Sequence, residues 1–155
     1  MKQHPLILVV DDDEMFLKIV HDILLAEGFE VIKTTKAEKA LFLIARCSPD
    51  LVLLDIMMPD YDGFQTLKMI RHRSDIPVIM LTCLDDKTTL SKAMLNGGAD
   101  DYVTKPFNPV ILIARIKARL RRCYDISQNS ADPVACDEEN SGNNELQEAK
   151  QDTNC

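Results

Sequence analysis

Tryptophan is absent from this 155-residue chain and aromatic residues are few, yet the composition is otherwise that of an ordinary soluble globular protein. No apolar stretch approaches the roughly 20 residues of a membrane span, so no membrane association is expected. The first residues, Met1-Lys-Gln-His-Pro5, run straight into a β-type segment and leave no room for a secretory leader. A cytoplasmic protein is expected. CxxC pairs and Cys/His ligand spacings are missing too: Cys47, Cys83, Cys123, Cys136 and Cys155 are odd in number and scattered. That argues against a disulfide framework and a zinc site and leaves reduced thiols. Internal repeats are absent as well. The length suits one domain with a real core and a modest extension.

Charge is present but unevenly spread. The chain carries 25 acids against 18 lysines and arginines, a net charge of −7. From Tyr124 onward there are eight acids and a single base, Lys150, so residues 1–123 hold 17 of each sign and are neutral. The acidity belongs to the C-terminal stretch and says nothing about what the rest binds. Residues 123–155 are rich in Asp, Glu, Asn, Ser and Gln and poor in apolar side chains. Such a segment cannot bury enough surface to offset its ordering entropy, and a disordered tail or linker is expected there. The basic run Arg119–Arg122 is short, lacks interleaved aromatics and adjoins this tail. It reads as a solvated helix end, and no direct nucleic-acid binding is expected.

Five apolar β-type runs, Leu6–Val10, Glu30–Thr34, Leu51–Leu54, Pro77–Leu81 and Tyr102–Thr104, alternate with helical patterns. In Met15–Glu27 the residues Phe16, Ile19, Val20, Ile23 and Leu24 recur at helical spacing, and Gly28 stops them. Further helices fit Lys36–Arg46, ended by Ser48-Pro49, and Asp62–His72, capped by Asp62. Asp86–Leu95 is stopped by Gly97-Gly98, and Pro109–Arg122 carries proline at an allowed first-turn position. The alternation predicts an α/β fold: (βα)5, a doubly wound parallel five-stranded sheet covered on both faces, with right-handed crossovers.

Asp55 ends the run Leu51-Val-Leu-Leu-Asp55, and Asp11 and Asp12 follow Leu6-Ile-Leu-Val-Val10. A buried parallel strand favours apolar residues throughout, and an unpartnered buried carboxylate is costly. Ligands of open α/β sheets collect at the carboxyl ends of the strands. Three acids at two such ends suggest a divalent-cation site. Capping explains one acid of Asp11-Asp12-Asp13, and Asp13 is the choice; it does not explain three in a row. Lys105, Thr82 and Tyr102 read singly as a surface lysine, a strand threonine and a packed aromatic. His4, His21 and His72 lie outside the strand ends and have no ligand spacing.

Taken in order, Val9-Val-Asp11-Asp12-Asp13-Glu14, Asp50-Leu-Val-Leu-Leu-Asp55-Ile-Met-Met-Pro59, Asp62-Gly63, Pro77-Val-Ile-Met-Leu-Thr82 and Gly98-Ala-Asp-Asp-Tyr102-Val-Thr-Lys105-Pro106-Phe107 resemble the receiver domain of two-component response regulators. The resemblance covers about residues 5–122 and implies a receiver domain over 1–122 with the flavodoxin-like strand order 2-1-3-4-5. It implies that Asp55 is the phospho-acceptor, a carboxylate nucleophile. Asp11, Asp12, Asp55 and the Met57 carbonyl would hold Mg²⁺, with Mn²⁺ as the alternative ion. Lys105 and Thr82 would contact phosphoryl oxygens, and Pro106 would follow a cis peptide bond. Thr82 and Tyr102 match the family's switch pair, which biases the face of the fourth helix, fifth strand and fifth helix. The implied phosphodonor is a sensor histidine kinase or a histidine phosphotransfer protein. A downstream effector is implied but not named, and the chain would catalyse only its own phosphorylation and dephosphorylation.

Departures from the pattern are informative. Cys83 stands where the family carries a very small residue. Met57 and Leu84 occupy the positions that modulate dephosphorylation, and neither can orient a water, so slow autodephosphorylation is expected. The last helix looks like that of receivers from winged-helix transcription regulators, which dimerise on phosphorylation. Asp100, Asp101, Arg115, Lys117 and Arg119 are in place for this, whereas Ser91, Asn96, Gly97 and Ile111 replace common charges. The residues after 122 are too few for a winged helix, which leaves a receiver fragment of a longer regulator as one alternative. A haloacid-dehalogenase-like phosphohydrolase is another, but it needs an acid at position 57. A phosphorylation-independent interaction domain is the third.

Overall fold

The computed structural model describes residues 3–83, Ser91 and residues 98–129. Apart from Ser91, the helix expected over Asp86–Leu95 lies outside them, as do Leu84, Asn96, Gly97 and the chain from Ser130. Five strands, β1 (Leu6–Val10), β2 (Glu30–Thr34), β3 (Leu51–Asp55), β4 (Val78–Cys83) and β5 (Asp101–Lys105), form one sheet in the order β2-β1-β3-β4-β5. All four pairings are parallel, so the expected architecture and strand order are the observed ones. The described helices are α1 (Glu14–Ala26), α2 (Ala37–Cys47), α3 (Gly63–Arg71) and α4 (Pro109–Asn129), the last being the fifth of the sequence-based count.

Strand side chains alternate between two cores. Ile7, Val9, Leu51, Leu53, Ile79 and Leu81 pack with α1 (Leu17, Val20, Leu24) and α4 (Leu112, Ile116, Leu120). Their neighbours Leu8, Val10, Val52, Leu54, Val78 and Met80 pack with Ala40 of α2 and with Leu67 and Ile70 of α3. A strand covered on both faces has no side left for water, which explains apolar runs with no polar alternation.

Local chemistry sets the helix ends. The Asp13 carboxylate accepts from the backbone N–H of Met15 (2.9 Å) and Phe16 (3.2 Å), and that of Asp62 from Phe64 N–H (3.0 Å). Asn108 Oδ1 accepts from Val110 N–H at 2.9 Å behind Pro109. Ser48 closes α2 in the left-handed region (φ 48°) before Pro49 blocks continuation.

Boundaries differ from expectation where backbone pairing outruns the apolar pattern. Asp55 is itself the last residue of β3, and β4 reaches Cys83, so Thr82 lies inside the strand. Pro77 falls outside β4 because it has no N–H to give, although its carbonyl accepts from Val52 N–H at 2.9 Å. The last helix continues seven residues past Arg122, to Asn129. Leu120, Cys123, Tyr124 and Ser127 recur on one helical face and line a small cavity with Asp50. The Ser127 hydroxyl donates to the Cys123 carbonyl at 2.8 Å.

Arg71 staples α3 to the run into β5. Its guanidinium donates to the carbonyls of Ile76 (2.6 Å) and Gly98 (2.8 Å) and to the Asp100 carboxylate (2.7 Å). The same Asp100 oxygen accepts from Val78 N–H at 2.8 Å.

Leu53 is fully buried at the centre of β3. Leu53→Ala should destabilise the fold by about 2–5 kcal/mol, read as a lower urea midpoint with an unchanged denaturant slope.

Candidate functional site

Strand register builds the site. Val10 pairs with Leu54, so Asp11 and Asp55 are the next residues on adjacent strands. Asp55 pairs with Leu81 of β4, and Cys83 pairs with Lys105 of β5. The carboxyl ends of four strands thus bring Asp11, Asp55, Thr82 and Lys105 to one edge, with Asp12 beside them.

Asp11 is fully buried, Asp55 is 4% exposed and Asp12 is open to solvent. One carboxylate oxygen from each lies within 4.8 Å of the others, the one such cluster of three or more His, Cys, Asp or Glu among the described residues. Lys105 Nζ donates to Asp11 Oδ2 at 2.5 Å and stands 3.5 Å from Asp55 Oδ1. The same ammonium lies 4.0 Å from the centroid of the Phe16 ring, a cation–π contact. Phe16 meets Phe107 edge to face, with centroids 5.6 Å apart. The Lys105–Pro106 peptide bond is cis. Asp11 Oδ1 accepts from Asp13 N–H at 3.0 Å, and Asp55 Oδ1 from Met57 N–H at 3.4 Å.

Three acids therefore face one base. Burial raises the Asp55 carboxyl from 3.8 to about 6, and the charges of Asp11 and Asp12 push the same way. Lys105 and the Met57 amide oppose them without cancelling them. A small divalent cation fits this donor set: carboxylate oxygens of three acids converge, a single lysine is shared between two of them, and the exposed Asp12 keeps a side open to water.

The other expected residues are placed as follows. The Thr82 hydroxyl is buried and donates to the Cys83 carbonyl at 3.1 Å, rather than to an acid of the cluster. Tyr102 is partly buried against the core that contains Met80 and Leu67. The Met57 side chain is 71% exposed and offers no polar group to the site. Cys83 is exposed.

Three contributors carry no local signal of a site role. Phe16 reads as one more apolar helix residue. Gly63 lies where a Cβ would sit 2.4 Å from the Asp55 carbonyl oxygen and 2.6 Å from Ile56 Cα, so the loop after Asp55 closes only because that position is glycine. Its N–H donates to the Ile56 carbonyl at 2.9 Å. The Tyr61 hydroxyl donates to Glu38 at 2.6 Å, tying the same loop to α2.

A parallel sheet of this order, with an acid trio and a lysine at its carboxyl edge, defines a CheY-like receiver fold. The chain belongs to the response regulator receiver domain family of two-component systems, which it matches over residues 7–117. It is 42% identical over 140 residues to the regulatory protein VanRc of Enterococcus gallinarum, covering 88% of this chain and 58% of that protein. It is also 42% identical over 119 residues to the DNA-binding response regulator MtrA of Mycolicibacterium smegmatis, covering 77% and 52%. The chain spans about half the length of the curated relatives it matches. Among solved structures, a CheY-like receiver domain protein from Methanospirillum hungatei superimposes with a TM-score of 0.73 at 34% identity, covering 79% of this chain and 98% of that one. The BeF3-activated receiver domain of Klebsiella pneumoniae RstA gives 0.71 at 34%, covering 75% and 98%.

Two outcomes follow. Gly63→Ala should cost about 1–3 kcal/mol of stability through the forced backbone shift, measured by urea unfolding. For Asp55 the folded-state pKa of about 6 lies above the ordinary 3.8. Its contribution is therefore most favourable below about pH 4 and is lost as pH rises through about 6. In a metal-free solution, Asp55→Asn should remove that loss and stabilise the protein at pH 7 by on the order of 1 kcal/mol. Unfolding curves at pH 4, 6 and 7 check this.

Proposed function

We propose that the chain is a phospho-accepting switch whose acceptor is Asp55. The observation that carries this reading is the edge where the Asp11, Asp12 and Asp55 oxygens lie within 4.8 Å and Lys105 Nζ stands between Asp11 and Asp55. A carboxylate oxygen of Asp55 attacks phosphorus on the phosphohistidine of a sensor kinase or histidine phosphotransfer protein. The P–N bond breaks as the O–P bond forms, giving an acyl phosphate and an imidazole that takes up a proton.

Asp11, Asp12, Asp55 and the Met57 carbonyl would hold Mg²⁺ (or Mn²⁺), which when bound offsets the acids' repulsion and the charge on the phosphoryl oxygens. Lys105, already shared between Asp11 and Asp55, exchanges part of its carboxylate contact for a phosphoryl oxygen. Thr82 rotates its hydroxyl from the Cys83 carbonyl to another, and Tyr102 moves into the space released. The change is read on the face made by β5, α4 and the helix expected over 86–95, by an effector or by a second copy of the chain.

With an exposed methionine at position 57, no side chain there activates water, so Asp55 holds its phosphoryl group and the chain does not turn over external phosphoesters. The reading treats residues 1–122 as the receiver and the rest as an acidic extension whose first residues prolong α4. It places the protein in the cytoplasm and assigns it no nucleic-acid or membrane contact of its own. A second reading, the receiver portion of a longer transcription regulator, is favoured by the half-length match to the relatives.

Incubation with acetyl phosphate and Mg²⁺ should give a stable one-phosphate mass gain that is lost in Asp55→Ala. Lys105→Ala should slow the gain by about 10²-fold. Decay within seconds would contradict the slow-release reading. Continuous phosphate release would indicate a phosphohydrolase instead, and no gain at all an interaction domain that works without phosphorylation.

A further inference from the structure

Lys18 of α1, Lys33 of β2, Lys36 just before α2 and Lys39 of α2 line one groove of about 690 Å³, together with Glu14 and the exposed Met15. All four lysines are exposed, and none has an acidic partner among the described residues. β2 is an edge strand, and one lysine on it is accounted for by discouraging edge-to-edge pairing. Four lysines converging from three elements in a chain region of zero net charge are not. Several bases elsewhere are paired (Arg71 with Asp100, Arg115 and Arg119 with Asp101, Lys117 with Glu27), and those that are not, such as Arg46, Lys68 and Arg73, do not converge on one groove with others.

The missing countercharge is in the same chain. Residues 130–155 hold seven acids and one lysine, with Asp137-Glu138-Glu139 as their densest run. Asp137–Glu139 lie eight to ten residues past Asn129 and so reach roughly 30 Å from it when extended, about the span of a small domain. Tethering also raises the effective concentration to about the millimolar range for a linker of this kind, where even weak ion pairing is populated.

We propose that the acidic segment around Asp137–Glu139 docks in the lysine groove of its own chain. Thr35 and Lys36 line both this groove and the adjoining pocket that contains Asp12. The docked segment therefore sets carboxylates beside the acid trio and opposes the approach of an anionic phosphoryl donor. The docking stands on the groove and the segment alone; only its effect on phosphorylation rests on the function proposed above.

The full chain, treated with a zero-length carbodiimide that joins lysine amines to carboxylates, should give links within one molecule from Lys33, Lys36 or Lys39 to Asp137–Glu139. They should vanish in about 1 M salt, where the screening length falls to about 3 Å. They should also vanish in the full-length variant Asp137→Asn/Glu138→Gln/Glu139→Gln, which leaves the folded domain untouched. Links only between molecules would assign the groove to a second copy and overturn the proposal. So would absent links, or links spread equally to Lys68 and Lys117. With the links present, that neutralised variant should accept phosphate from acetyl phosphate faster than the parent at low salt. Links without any phosphorylation at Asp55 would leave the docking standing and sink the functional reading instead.

Discussion

Pairing of β1 with β3 in the register Val10↔Leu54 places Asp11 and Asp55 side by side, about 5 Å of strand spacing apart. Both strands are buried on both faces, so neither acid can escape to water by turning over. A slip of one residue would relieve the carboxylates, but it would also move every apolar side chain of β1 or β3 to the other core. The free energy of two packed layers far exceeds that of a few crowded charges. The same alternation that builds the sheet therefore enforces the charge crowding at its edge.

The three acids are not equivalent. Asp11, fully buried, takes the short contact with Lys105 and also accepts from the Asp13 amide. Asp12 is exposed and solvated. Asp55 is left with a lysine at 3.5 Å and a long amide contact, and burial raises its carboxyl to about 6. Of the two buried acids, Asp55 is the one with the weaker direct compensation. Lys105 itself is steadied by the face of Phe16, which holds the ammonium in place without neutralising it.

Much of this was legible in the chain because its elements bury simple patterns. Five apolar runs located five strands, two of them to the residue, and Asp13 and Asp62 marked helix starts by a chemistry that acts within three residues. Boundaries failed where pairing, which is non-local, decided them: Asp55 belongs to β3, and Thr82 lies within β4. The last helix outran expectation because Cys123 and Tyr124 find a packing surface near Asp50, a residue more than 70 positions away. Asp11, Asp12 and Asp55 could be named from their places at strand ends, whereas Lys105 could be named only through the resemblance to receiver domains. Gly63 and the Tyr61–Glu38 bond could not be given their structural roles, since the first depends on the close approach of Ile56 and the second joins the loop after β3 to the first turn of α2.

The two cores lie on opposite sides of the sheet, with Leu53 packed in one and its chain neighbours Val52 and Leu54 in the other. Well-separated substitutions that share no partner combine additively, whereas those in contact do not. Side-chain changes beneath α1 and α4 should thus be thermodynamically blind to changes beneath α2 and α3, and the two layers form separate compartments of coupling. The strand ends are the exception. There Lys105 of β5 reaches across to Asp11 and Asp55, so that side chains from separate strands meet in one charged cluster.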